Sequence, residues 1–96
     1  MNTVTQVNVL ANVFVVYKKF NMATLRIFGT IPATNDGVTI ATLPVGYRPL
    51  QTYDVTLFNT AGTKIGILRL DVDGTIKPTF GNMTSGAVRM SVPYIV

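Results

Sequence analysis

Two stretches of the chain alternate apolar and polar side chains with a period of two. Between residues 23 and 31, Ala23, Leu25, Ile27, Gly29 and Ile31 alternate with Thr24, Arg26, Phe28 and Thr30. Near the end, Val88, Met90, Val92, Tyr94 and Val96 alternate with Ala87, Arg89, Ser91 and Pro93. Successive strand side chains point to opposite faces, so this spacing predicts two half-buried β-strands. Turn-forming residues recur between them: Asn35-Asp36-Gly37, Pro44-Val45-Gly46, Asn59-Thr60-Ala61-Gly62, Asp73-Gly74 and Thr84-Ser85-Gly86. They divide the chain into expected strands at about 14–18, 24–31, 38–42, 53–59, 64–71, 75–77 and 87–94. The Asn-Thr-Ala-Gly and Asp-Gly turns are short enough to close antiparallel hairpins, which makes 53–77 a three-stranded meander. Short strands at this spacing predict an all-β antiparallel fold, a sandwich, jelly roll or barrel.

Composition supports strands and excludes helices. Glu is missing, and Val, Ile and Thr dominate, side chains whose branched Cβ suits a pleated surface. A chain of 96 residues makes one domain, because it buries only about two-thirds of its unfolded surface and cannot fill two cores. Residues 13–96 are read as that domain. Residues 1–12 carry neither charge nor a turn signal and are expected to be an arm or the end of a neck, with an extra edge strand as the other option.

Charged residues are 12% of the chain, about half the usual share, so Thr, Asn and apolar atoms must cover much of the surface. Such a surface favours association, and an oligomer is expected. The net charge of +4 comes from basic residues scattered along the sequence, which argues against a nucleic-acid partner. Without Cys there is neither a disulfide framework nor a thiolate metal site. The longest apolar run, 13–17, is far shorter than the ~20 residues of a membrane span.

The chain also lacks His, so the usual nucleophile–base triads are impossible, and no cofactor or metal site is expected. Asp71-Val72-Asp73 is the one close pair of carboxylates, and it leaves a hydrolase reading open. The plainer reading gives Asp73-Gly74 to a tight turn and Asp71 to a strand end. In so small a domain Tyr17, Phe20, Phe28, Tyr47, Tyr53, Phe58 and Tyr94 are expected in the core or at an interface. Phe80 is the exception, since Pro78 before it and Gly81-Asn82 after it mark a loop. Arg69, set among Ile67, Leu68 and Leu70, needs a carboxylate partner, and Asp71, two residues on, is expected to supply it. Arg69, Asp71 and Phe80 together form a candidate saccharide site: a fork of donors, an acceptor and an apolar ring. An ordinary ion pair beside a core Phe is the alternative.

The segment GVTIATLPVGYRP, residues 37–49, and LRLDVDGTIKPTFG, residues 68–81, resemble the head domains of receptor-binding proteins from tailed phages of lactic-acid bacteria and related Gram-positive hosts. The resemblance spans 13–96. It implies a jelly-roll-like β-sandwich or barrel that forms a homotrimer at the tail tip or baseplate of the virion. There it would bind host cell-wall saccharide or a teichoic-acid-like glycan, without catalysis or membrane insertion. In that family a His-x-Asp and a downstream Trp hold the sugar, and their places here are taken by Arg69-Leu70-Asp71 and Phe80. Arg for His gives a permanent cation suited to a phosphate-bearing glycan, and Phe stacks less broadly than Trp. The competing reading is a structural trimerisation module that anchors other baseplate or tail proteins and binds no sugar.

Overall fold

The computed structural model describes Thr5–Leu10 and residues 13–96. Among them the strands are β1 (Thr5–Leu10), β2 (Phe14–Lys19), β3 (Met22–Ile31), β4 (Ala41–Thr42), β5 (Tyr53–Phe58), β6 (Lys64–Leu70), β7 (Thr75–Thr79) and β8 (Gly86–Ile95). They form two four-stranded sheets, ordered β1-β2-β3-β8 and β4-β7-β6-β5, with every pairing antiparallel. The all-β expectation holds, and the two sheets share one core as in a β-sandwich.

Both alternating stretches bury the side they were expected to bury. Ala23, Leu25, Ile27 and Ile31 of β3 and Val88, Val92 and Tyr94 of β8 face inward. From the other sheet Leu57, Leu68, Leu70 and Ile76 meet them. The Tyr94 hydroxyl, which burial pushes well above its ordinary pKa, donates to the Tyr47 carbonyl at 2.7 Å. The one phenolic group in the core therefore keeps a partner, as a buried polar atom must.

The second sheet is the meander β5-β6-β7 with β4 added beside β7, a Greek-key order whose long connection, residues 43–52, crosses from one edge to the other. The expected strand at 38–42 shrinks to Ala41–Thr42, because Val38 N–H closes a turn on the Asn35 carbonyl. The expected 75–77 instead extends through Pro78 to Thr79. Pro78 has no N–H to give and accepts from Gly37 N–H at 3.0 Å.

Part of the 1–12 stretch is strand: Thr5–Leu10 pairs with β2 at the edge of the first sheet, one of the options open from sequence. The other residues of that stretch lie outside the described ones.

The Leu-Pro-Val-Gly-Tyr-Arg segment is a clasp on the β6–β7 hairpin. Tyr47 N–H reaches the Pro44 carbonyl at 3.0 Å around Gly46, whose φ of 94° suits a type II turn. Arg48 Nε donates to the Leu43 carbonyl at 3.1 Å. A Cβ on Gly74 would stand 2.6 Å from that carbonyl oxygen and 2.7 Å from Arg48 Nε, so only glycine lets the hairpin close against the clasp.

Candidate functional site

The outer face of the second sheet brings together Arg69 and Phe80 and gives Arg69 a different partner. Asp54 of β5 lies directly opposite Arg69 of β6, and Lys77 of β7 lies opposite on the other side. Arg69 Nε donates to Asp54 Oδ1 at 2.9 Å and Nη2 to Oδ2 at 3.4 Å, a fork on both carboxylate oxygens. The expected Arg69–Asp71 pair is therefore corrected to Arg69–Asp54. Side chains opposite each other across a ladder stand closer than those two apart along one strand. In addition, β6 ends at Leu70, so Asp71 already belongs to the loop.

Asp71 has its own work in that loop. It accepts from Thr52 Oγ1 at 3.1 Å and from Val72 N–H at 2.9 Å, and Lys77 Nζ stands 3.7 Å away. Asp73 accepts from the Thr75 N–H at 3.0 Å and from its hydroxyl at 2.7 Å. These bonds, the backbone one first, hold its carboxyl below the ordinary range. The Asp-Gly turn reading of this pair is the one the geometry bears out.

Phe80 follows β7, is 75% exposed, and has a φ of 58°. The Arg69 guanidinium lies over its ring, 5.8 Å from the centroid. The hydrogen bond to Asp54, the charge on it, and the more distant charges of Asp71 and Asp36 all raise the pKa of Arg69, which stays cationic. The loop carrying Phe80 is anchored from below. Buried Met83 seats on Gly66, where a Cβ would come within 2.9 Å of its side chain, and Thr84 N–H reaches the Ile65 carbonyl at 2.9 Å. Beside Phe80 lies an open cleft of about 230 Å³ lined by Lys64, Gly66, Thr79 and Asn82.

Sequence reasoning missed Asp54. A bulge between Leu57 and Phe58 shifts the β5–β6 register by one residue; counted back from the Phe58–Lys64 pair without it, Tyr53 and not Asp54 would face Arg69. The expectation of core or interface aromatics is met in the core by Tyr94, whereas Phe20, Phe28 and Phe58 are solvent-facing in the single chain.

Among the described residues no group of three or more Asp side chains is placed to hold a metal ion. No protein-family model matches the chain, and no curated protein matches it.

Proposed function

We propose that this domain is a non-catalytic receptor-binding head of a phage tail, which recognises host cell-wall saccharide through Phe80, Arg69 and Asp54. One observation carries the reading. Phe80 is the most exposed aromatic side chain among the described residues, and it is held in a left-handed backbone conformation that costs a non-glycine residue about 1–2 kcal/mol. Phe20 shares the exposure and the left-handed φ but closes the two-residue β2–β3 turn, whereas the Phe80 ring, on a loop anchored by Met83, also has the Arg69 guanidinium over it; strain combined with such a polar neighbour is the kind that accompanies a binding role. A sugar offers an apolar C–H face to the ring and hydroxyls to a donor fork and a carboxylate, and this corner supplies all three.

Several features support the rest of the proposal. The strands pair in nested fashion, β3 with β8, β4 with β7 and β5 with β6, as the arms of a jelly roll do. Exposed Phe20, Met22, Leu50 and Ile95, on a chain with so few charges, favour a homotrimer, in which weak single sites gain by acting together. Asp71 and Asp73 are engaged in shaping a hairpin, and the lowered pKa of Asp73 keeps it from holding a proton to donate, which favours binding over hydrolysis. The virion tail tip or baseplate is the location this reading assigns.

Binding to an array of host cell-wall fragments tests it. Wild type binds, and Phe80→Ala loses at least tenfold in affinity; no binding, or no change in Phe80→Ala, sinks the site. Light scattering should give three times the mass of the chain, and a clean monomer overturns the trimer. One observation favours the structural-module reading: the Arg69 guanidinium is already committed to Asp54. On that reading the array stays blank while the trimer still forms and captures other tail proteins.

A further inference from the structure

Strand β8 forms one edge of the first sheet, and its outward backbone is only partly occupied. In an antiparallel ladder each residue turns its N–H and C=O to one side, and successive residues alternate. Val96 N–H reaches the Asn21 carbonyl at 3.0 Å, in register with the β3–β8 ladder, so the even-numbered residues of β8 bond to β3. The odd-numbered ones face outward. Two of them are closed by loops: Thr60 N–H donates to the Ala87 carbonyl at 2.9 Å and Leu50 N–H to the Ile95 carbonyl at 3.0 Å. Between these clasps the N–H and C=O of Arg89 and of Ser91, and the C=O of Pro93, take no partner among the described residues. From Arg89 to Pro93 the gap is about 14 Å long, the reach of a five-residue strand.

The core is thinnest beside the same gap. Of the inward-pointing Val88, Met90, Val92 and Tyr94, only Met90, which lies between Arg89 and Ser91, is left half-buried. Across the opening Tyr53 and Val55 of β5 are half-buried too, the Tyr53 ring 6.3 Å from that of Tyr94. A strand laid along β8 would turn alternate side chains inward over Met90 and Val55 and the others outward beside Arg89 and Ser91. Its inward positions therefore suit apolar residues.

Charge selects among such strands. On the outer face Arg89 of β8 and Arg26 of β3 both lie over the Phe28 ring, 4.8 Å and 5.1 Å from its centroid. No carboxylate side chain neutralises them: Asp54 pairs with Arg69 and Asp71 with Lys77, Asp73 caps Thr75, and Asp36 lies in the loop after β3, where its charge acts on Arg69. The strands of the first sheet carry Lys18, Lys19, Arg26 and Arg89 and no acidic residue, whereas the remainder of the chain balances four basic with four acidic residues. The entire net +4 belongs to this sheet. At the Arg89 end of the gap, a cleft of about 440 Å³ between Phe58, Asn59, Thr60 and Arg89 has room for an acidic side chain.

We propose that β8 accepts an extended acidic peptide of a partner protein as an antiparallel fifth strand of the first sheet. Read from its N-terminus, the peptide places an apolar residue opposite Val92, a small polar one opposite Ser91, an apolar one opposite Met90, and Asp or Glu opposite Arg89. Main-chain bonds to Arg89, Ser91 and Pro93 supply affinity, and the apolar pair and the carboxylate supply specificity. An edge proline and an edge charge are also devices that keep a strand from pairing with its own copies. Two copies joined at β8 would set two positive sheets edge to edge, which like charge opposes. An acidic strand meets attraction instead.

The probe is the peptide Thr-Val-Thr-Val-Glu, blocked at both ends and titrated into the full chain by NMR. Binding should slow hydrogen exchange of the Arg89 and Ser91 amides, and N-methylation of the central Thr, whose N–H would reach the Ser91 carbonyl, should weaken it about tenfold or more. N-methylation of the second Val, whose N–H would point away from β8, should leave binding unchanged. Ser91→Pro removes an outward N–H, as Pro93 already does, and should weaken binding about tenfold with an unchanged far-ultraviolet CD spectrum. Arg89→Glu should lose the Glu peptide and gain one ending in Lys. The sugar site lies on the other sheet, so Phe80→Ala should bind the peptide as wild type does. No binding by wild type, equal weakening by the two N-methyl groups, or loss of binding in Phe80→Ala overturns the fifth strand. Protection of the Arg89 and Ser91 amides that grows with protein concentration without peptide overturns it in favour of a second copy.

Discussion

On the outer face of the second sheet, one arginine over a phenylalanine is also forked to a carboxylate, with two further Asp charges acting on it. On the outer face of the first sheet, two arginines over a phenylalanine have no carboxylate side chain at all. The residue types are the same, and the chemistry each face offers is not. A guanidinium whose charge is matched still presents direction, a fork and a neighbouring acceptor, which suits neutral hydroxyls. Unmatched guanidinium groups present charge first, which suits an anion. What separates the faces is where the few acidic residues fall in the topology, since all four lie outside the strands of the first sheet.

The two faces belong to one body with a single core. Leu68 is fully buried in the core that both sheets share, and Leu68→Ala should cost about 2–5 kcal/mol. In a denaturant melt, probes on the two sheets should shift together; separate transitions would mean that the faces belong to separable units. A smaller effect of opposite sign is expected at Phe80. Phe80→Gly relieves the left-handed backbone, so it should stabilise the fold by up to about 1 kcal/mol while abolishing the proposed sugar binding. A fall in Tm would show that the ring supports the fold.

Asp54→Ala turns the second face into a weak copy of the first. It should barely move Tm, because the pair is half open to solvent, and it should create weak inorganic-phosphate binding centred on Arg69, read by NMR shifts. Unchanged shifts would mean that the missing carboxylate is not what distinguishes the faces. The smallest effect is in acid. The folded-state pKa of Asp73 is depressed, so its contribution to stability is present above the unfolded value of about 3.9 and is lost as pH falls through the lowered folded value. Asp73→Asn keeps the acceptor and removes the titration, and should move the acid midpoint by roughly a few tenths of a pH unit. Resonances of the first sheet, whose strands have no carboxylate side chain to protonate, should respond only with global unfolding.

Much of the fold was legible because its signals are local. The alternation at 23–31 and 87–96 and the turns at Asn59–Gly62 and Asp73-Gly74 each depend on near neighbours in sequence, and they reappear as β3, β8 and the β5-β6-β7 meander. The sites were less legible because they depend on register and strand order. Phe80 could be picked out from its loop context, whereas Asp54 depends on a single bulged residue, Ile65 of β6. Arg26 and Arg89 are sixty-three positions apart and read as scattered charge until β8 returns to lie beside β3. The two-residue turn at Phe20-Asn21 has no glycine, yet it closes β2 onto β3 with Phe20 at a φ of 56°. No turn rule based on residue type would have placed it there.

Met83 on Gly66 has a consequence for how this domain can change over generations. The latch fixes where the β7–β8 loop meets the sheet, while Phe80, Gly81 and Asn82 stand outside it in solvent. Substitutions at the loop tip leave Met83 in its seat and the core untouched, so the side chains displayed there can change at little cost to folding. A change at Gly66 has no such freedom, because any side chain there meets Met83 and displaces the whole loop. What the loop displays and what holds it in place are thus carried by adjacent residues under separate constraints.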